Sequence, residues 1–408
     1  MKNESPKYRF DKFDENWFLV RISNIASQFK TGGTPSTKEP NFWGGTIPWI
    51  QSSDIQKDTL FGVIPQKFIS EEGLQNSSAK LIPKSSIAIV TRVGVGKLAI
   101  IDQDYATSQD FLSLSDLNGD IQFLVYSIYR MLQKESTQLQ GTSIKGITKE
   151  ELLSKKISLP DIKEQSAIGS LFRTLDDLLV SYKDNLANYQ SLKATMLSKM
   201  FPKAGQTVPE IRLDGFEGEW EINKLNKYLT VSKQKNTQLK FDKEDVLSVS
   251  GEFGIINQIQ FQGRSFAGAS VEMYSIVDTG NIVYTKSPLK ANPYGIIKTN
   301  YGIPGIVSTL YAVYLPNENV FPGFVERYFE NDLRLNSYLK PLVNKGAKND
   351  MKVSDENALL GAVIFPQLEE QVAISDYFTN LDKFIQSHKD KISQLETLKK
   401  KLLQNMFI

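Results

Sequence analysis

Cysteine is missing from all 408 residues, so disulfides, thiolate zinc sites, iron–sulfur clusters and cysteine nucleophiles are excluded by count. Histidine occurs once, at His388, and any His–Asp relay or two-imidazole metal site would have to run through that position. No run of 18 apolar residues is present, and Met1 to Phe10 alternates charged and aromatic residues instead of building a signal-peptide core. A strong charge of either sign is missing too: 48 Lys and Arg stand against 46 Asp and Glu, a formal +2. The expectation is a soluble, cytoplasmic protein without a membrane partner. With 40% apolar and 11% aromatic residues the chain can build a packed core, and its length suits two or three domains at roughly 150 residues each.

What is there is a repeat. Residues 157–201 align without gaps on 363–407 at an offset of 206, with 16 of 45 positions identical. The matches include Pro160 with Pro366, Glu164-Gln165 with Glu370-Gln371, Phe172 with Phe378, Asp176 with Asp382 and Lys193 with Lys399. A shorter match opens each half: Pro6, Arg9, Asp11, Phe13 and Trp17 recur as Pro209, Arg212, Asp214, Phe216 and Trp220, at an offset of 203. The chain therefore divides into two tandem halves, each a globular segment followed by one long helix. The boundaries read as 1–157, 158–203, 204–363 and 364–408. Residues 30–150 and 235–350 share no convincing sequence similarity, so the frame repeats and the inserts differ.

Each repeated helix starts just after a proline, with Glu164 or Glu370 near its positive N-terminal end. Alternating steps of four and three from Ile168 give Phe172, Leu175, Leu179, Tyr182, Leu186 and Tyr189 before Lys193. The second copy gives Phe378, Leu381, Ile385, His388, Ile392 and Leu395 before Lys399. A 3.5-residue period held for more than four heptads is the mark of a coiled-coil seam, and residues 164–200 would span about 55 Å at ~1.5 Å per residue. His388 falls on this seam and reads as a packing residue. Lys193 and Lys399 interrupt both seams at the same place and read either as register-setting polar positions or, the favoured reading, as lysines whose stems lie along the interface.

The first insert reads as short strands and turns, with an apolar strand at Ser86–Val90 and a helix over Phe123–Lys134. The second is expected to place strands at Asn281–Thr285 and Ile306–Tyr314 and a helix at Phe324–Tyr338. Gly94-Val95-Gly96-Lys97 lacks the glycine spacing and the following hydroxyl of a phosphate-binding loop and reads as a turn. Asn292-Pro293-Tyr294 is one proline short of the adenine methyltransferase motif, with no glycine-rich cofactor loop nearby. What remains are polar, Gly-flanked loops carrying cations. In the first half they hold Lys30, Thr31, Gly33, Thr34, Ser36, Arg92, Lys97 and Lys145, and in the second Arg264, Lys286, Lys290, Lys345 and Lys348. Such loops suit phosphate contacts and base-edge hydrogen bonds, and these residues are the candidate DNA contacts.

At this point the chain resembles the specificity subunits of type I restriction–modification enzymes. The carriers are the Pro-x-x-Arg-x-Asp-x-Phe-x-x-x-Trp opening of both halves, Gly33-Thr34-Pro35-Ser36, Trp43-Gly44-Gly45, Ile47-Pro48-Trp49, and the helix starts Leu159-Pro160 to Gln165 and Phe365-Pro366 to Gln371. The second insert lacks the Gly-Thr-Pro-Ser and Trp-Gly-Gly signatures. The resemblance implies an α+β chain of two mixed α/β target recognition domains, separated by two long helices that form an antiparallel coiled coil in a pseudo-twofold tandem repeat. It implies a subunit without chemistry or cofactor of its own, each domain reading one half of a split duplex DNA target while the helices set the spacer. The implied partners are two methyltransferase subunits, which would carry S-adenosylmethionine, and a restriction subunit. A coiled-coil scaffold with protein-binding heads and a carboxylate-based hydrolase are the competing classes.

Overall fold

The structure is a computed structural model and describes residues 5–92, 95–138, 146–345 and 351–408. The chain separates into two compact units, of which only the second is a continuous stretch of sequence. Unit 1 comprises Met1–Lys183 with Asp390–Ile408, and unit 2 comprises Asp184–Lys389.

The strands of unit 1 are β1 (Phe18–Arg21), β2 (Ala26–Thr31), β3 (Trp43–Ile50), β4 (Lys67–Ile69), β5 (Ile87–Val90), β6 (Leu98–Ile100), β7 (Ala106–Thr107), β8 (Phe111–Leu117) and β9 (Lys156–Leu159). Its helices are α1 (Glu71–Gln75), α2 (Ile121–Gln138) and α3 (Lys149–Ser154), and the long α4 (Ile162–Lys199) starts here. An antiparallel sheet runs β2-β8-β5-β6, a smaller mixed one runs β4-β3-β7, and β1 pairs with β9. The central strand β5 is buried at every residue, and Ile87 and Ile89 join α2 through Phe123, Leu124 and Ile128 in one core. That continuous burial is why the segment reads as an unbroken apolar run.

Unit 2 contains β10 (Glu221–Lys224), β11 (Leu229–Val231), β12 (Leu247–Ser250), β13 (Gly254–Asn257), β14 (Ser275–Val277), β15 (Ile282–Thr285), β16 (Ile297–Thr299), β17 (Gly305–Val307), β18 (Tyr311–Pro316), β19 (Asn344–Lys345), β20 (Met351–Lys352) and β21 (Ala362–Phe365). Its helices are α5 (Gln258–Gln262), α6 (Pro322–Phe329) and α7 (Asp332–Leu339), and α8 (Leu368–Asn405) starts here. The sheet β11-β18-β15-β16 and the pair β10-β21 repeat the order of unit 1. The two inserts, unlike in sequence, therefore share a four-stranded core. They differ around it: unit 2 has the two-stranded pairs β12-β13 and β14-β17 where unit 1 has β4-β3-β7.

Two expected elements of unit 2 are each broken in two. The strand expected over Ile306–Tyr314 is β17 and β18, separated by a turn in which Tyr311 N–H donates to Ser308 O at 3.1 Å. The helix expected over Phe324–Tyr338 stops at Glu330, because extended Asn331 caps a new helix by accepting from Arg334 N–H.

The two long helices cap both cores. In unit 1, Ile168, Phe172, Leu175 and Leu179 from the start of α4 meet Leu395, Leu403, Met406 and Phe407 from the end of α8. In unit 2, Leu197, Met200 and Phe201 from the end of α4 meet Ile374 and Phe378 from the start of α8. Phe172 lies 5.4 Å from Phe407 and Lys183 pairs with Glu396, so numbering rises along one segment as it falls along the other. The helix segments thus run antiparallel in unit 1, and Lys193–Asp382 with Phe201–Phe378 gives the same sense in unit 2. The α+β class holds, with two mixed units and a pair of long helices. Tyr182, Leu186, Ile385, His388 and Ile392 are only half-buried, because two helices alone cannot enclose a seam that no sheet covers.

Candidate nucleic-acid interface

The repeated motifs turn out to be structural. Glu164 is fully buried, and Arg9 grips both of its oxygens at 2.7 Å. Arg212 does the same to Glu370 at 2.8 and 2.7 Å. Such bidentate pairing compensates the desolvation of a buried carboxylate and fixes the opening segment against the helix start. The neighbouring Gln165 accepts from Asp120 N–H and donates to Pro160 O, and Gln371 likewise bridges Phe321 N–H and Pro366 O. Each glutamine therefore ties a long helix to the start of the insert helix, α2 or α6.

Gly32 and Gly33 have a packing reason. A Cβ on Gly32 would sit 2.2 Å from Ser108 O, and one on Gly33 2.1 Å from Ser78 O. Gly33 also donates its N–H to Thr107 O and accepts from the Trp49 indole at 2.9 Å. It is buried with both backbone groups engaged, while Thr34 bonds the side chain of Gln109. Ser36 O accepts from Trp43 Nε1, closing the loop. The glycine-rich signature thus shapes the loop, and its rim presents exposed Thr31 and Ser36.

The other candidates separate by what already holds them. Arg92 and Lys290 are exposed, and exposed Arg264 lies 4.5 Å over the ring of Phe266. Half-buried Lys30 and Lys97 donate to Leu81 O and Ser52 O, each at 3.1 Å. Lys286 is engaged internally, paired with Asp355 at 2.8 Å. Lys345 lies in β19, and Lys145 and Lys348 fall outside the described residues. Asn292 bonds Asp332 and Asn336 inside unit 2, which accounts for the Asn-Pro-Tyr stretch without any methyl transfer.

Some candidates emerge only in the fold. Lys67 lies 5.8 Å over both Trp43 and Trp49, because the β3–β4 register pairs Trp49 with Lys67 across 18 residues of sequence. In unit 2, Phe253 and Phe261 pack as tilted rings 5.6 Å apart while staying 59% and 39% exposed. Aromatic rings beside guanidinium or ammonium groups are a common surface for bases and phosphates. A surface depression of about 520 Å³ between Ile47 and Lys84 is lined by Glu71, Asp102 and Asp104, and its carboxylates would repel phosphate. Among the described residues no cluster of His, Asp or Glu could hold a metal, and no helix is long and apolar enough to cross a membrane.

A family model described as a type I restriction modification DNA specificity domain matches residues 14–189. The chain is 25% identical over 238 residues to the MjaIX type I restriction enzyme specificity subunit of Methanocaldococcus jannaschii, covering 55% of this chain and 54% of that relative. The match thus spans about half the length of that relative. A second specificity subunit of the same organism, MjaVIII, is 22% identical over 95% of this chain and 91% of its own. In fold, the crystal structure of the type I restriction–modification S subunit from M. genitalium is similar with a TM-score of 0.61 at 15% identity, over 99% of both chains. Residues 14–189 thus match a type I restriction modification DNA specificity domain, and the chain as a whole is similar to type I restriction enzyme specificity subunits.

Proposed function

We propose that the chain reads a split DNA sequence, one half with each insert, as the non-catalytic recognition subunit of a cytoplasmic type I restriction–modification system. Residues 1–157 and 204–363 form the two readers, and 158–203 and 364–408 the helices that link them and set the spacer. Two methyltransferase subunits carry S-adenosylmethionine and dock on the repeated frame, and a restriction subunit joins for cleavage. The observation that carries this reading is the pairing of a duplicated frame, Arg9–Glu164 and Arg212–Glu370, with two inserts that share a core sheet and differ in the loops around it.

Thr31, Ser36, Arg92, Arg264, Lys290, Lys345, Lys145 and Lys348 make the DNA contacts in this reading, with Lys30 and Lys97 supporting them. Lys286 contributes through Asp355 to the fold and not to DNA. A formal charge of only +2 suits a subunit that shares phosphate binding with its partners. Co-expression with the neighbouring methyltransferase gene, followed by genome-wide mapping of methylated adenines, tests the reading. The expected result is one bipartite motif that vanishes when the chain is deleted, and an undivided motif, or methylation independent of the chain, would contradict it.

A further inference from the structure

The two lysines that interrupt the seam are ion-paired, in a reciprocal pattern. In unit 1, Asp176 of α4 pairs with Lys399 of α8, and the Tyr126 hydroxyl donates to the same carboxylate. In unit 2 the roles are exchanged: Lys193 of α4 pairs with Asp382 of α8 at 2.6 Å. Arg327 holds the other oxygen of Asp382 at 2.7 Å, and Glu330 closes the cluster by accepting from both cations. The partners' residue numbers add to 575 in both pairs, so the two links specify one antiparallel register. Midway between Asp176 and Lys193, and between Asp382 and Lys399, each helix passes from one unit to the other, at Lys183/Asp184 and Lys389/Asp390.

The apolar seam cannot choose this register by itself. A slip of one heptad still sets apolar residues against apolar residues. The charges do distinguish it. Slipped one way, Asp176 and Asp382 face Met406 and Met200; slipped the other way, they face Ile392 and Leu186. Both directions break the two cross-helix pairs and leave Asp176 and Lys399 without an ionic partner near an apolar interface, which is strongly unfavourable. Buried ion pairs contribute little net stability but are well attested as determinants of registry.

We propose that Asp176–Lys399 and Lys193–Asp382 are positioning pairs that fix the register of α4 against α8, and through it the number of base pairs between the two half-sites. The second clause rests on the function proposed above; the first does not. The absence of cysteine permits a DNA-free test on the full chain. In Lys183→Cys/Glu396→Cys, which replaces a contact of 2.8 Å, a short bis-maleimide should join the two helices. Adding Asp176→Lys should abolish that cross-link, and adding Lys399→Asp as well should restore it, since Tyr126 can donate or accept. Methylation by the assembled complex on targets of varied spacer gives the second readout, without the cysteines. Asp176→Lys, and more mildly Asp176→Asn, should lower discrimination against wrong spacers by about tenfold, ~1.4 kcal/mol, with both half-sites still read and the double reversal restoring it. A cross-link unaffected by Asp176→Lys, or a cooperatively folding double reversal that fails to regain it, would overturn the register claim. Cross-links that respond as expected while spacer choice stays strict in every variant would overturn only the link to DNA.

Discussion

Glu164 has no solvent contact and depends on Arg9 for both of its oxygens. Arg9→Ala should therefore cost about 3–5 kcal/mol, since it strands a buried charge. Denaturant unfolding of the full chain measures this, with Glu164→Gln in the Arg9→Ala background recovering part of the loss. Glu330 predicts a pH effect. Burial would raise its carboxyl, but Arg327 and Lys193 outweigh burial and hold it below its ordinary value of 4.5. A depressed carboxylate contributes stability that is complete above the unfolded value and is lost as pH falls through the lower folded value. Stability should decline below about pH 4.5, and Glu330→Gln should flatten that decline in unfolding curves between pH 6 and pH 3. Arg9 could not be matched to Glu164 from the sequence, because the two are 155 residues apart. The repeat marked both positions as special without saying why. The choice between Lys193 and Lys399 as register-setting positions and as stems along an interface was open in the sequence for the same reason: the acids that pair with them, Asp382 and Asp176, lie on the other helix.

At the scale of elements, the seam is unevenly covered. Leu179 is buried by α2 and α8 neighbours in the unit 1 core, whereas Ile385 lies mid-seam and is only half-buried. Leu179→Asp should cost several kcal/mol, roughly the cost of an unpaired charge in an apolar core, and Ile385→Asp clearly less. Unfolding midpoints and size-exclusion profiles of complexes with the methyltransferase subunit check this, and equal losses would contradict the uneven burial. The helices were legible because a 3.5-residue period over 38 residues needs no tertiary information. The sheet order was hidden, since β2-β8-β5-β6 joins strands far apart in sequence and any apolar, β-branched residues satisfy its central positions. The strand break at Ser308 and the helix break at Asn331 turn on single hydrogen bonds that periodicity does not register.

At the scale of the whole chain, the repeat makes its two ends neighbours. In unit 2, Ile211 N–H donates to Lys199 O across a covalent connector; in unit 1, Tyr8 N–H donates to Asn405 O at 2.9 Å with no connector at all. A short Gly/Ser linker from Ile408 to Met1, with new termini near Gly205, should therefore give a chain that folds and directs methylation to the same sequence with the same spacer. Gly205 is exposed, at φ +81° and with open space around it, which suits new termini. A folded permutant with a different spacer would contradict the equivalence of the two joins. The frame and its duplication were legible because identical residues recur at fixed offsets. The contacts to DNA were less so, since exposed cations such as Arg92 and engaged ones such as Lys286 look alike until the fold assigns partners. The central claim is that the inserts read separately, and the most direct measurement is an exchange of residues 1–157 for those of another family member. With the chimera co-expressed with the methyltransferase, the methylation map should show one half-site replaced and the other half-site retained. A map in which both half-sites change together would contradict it.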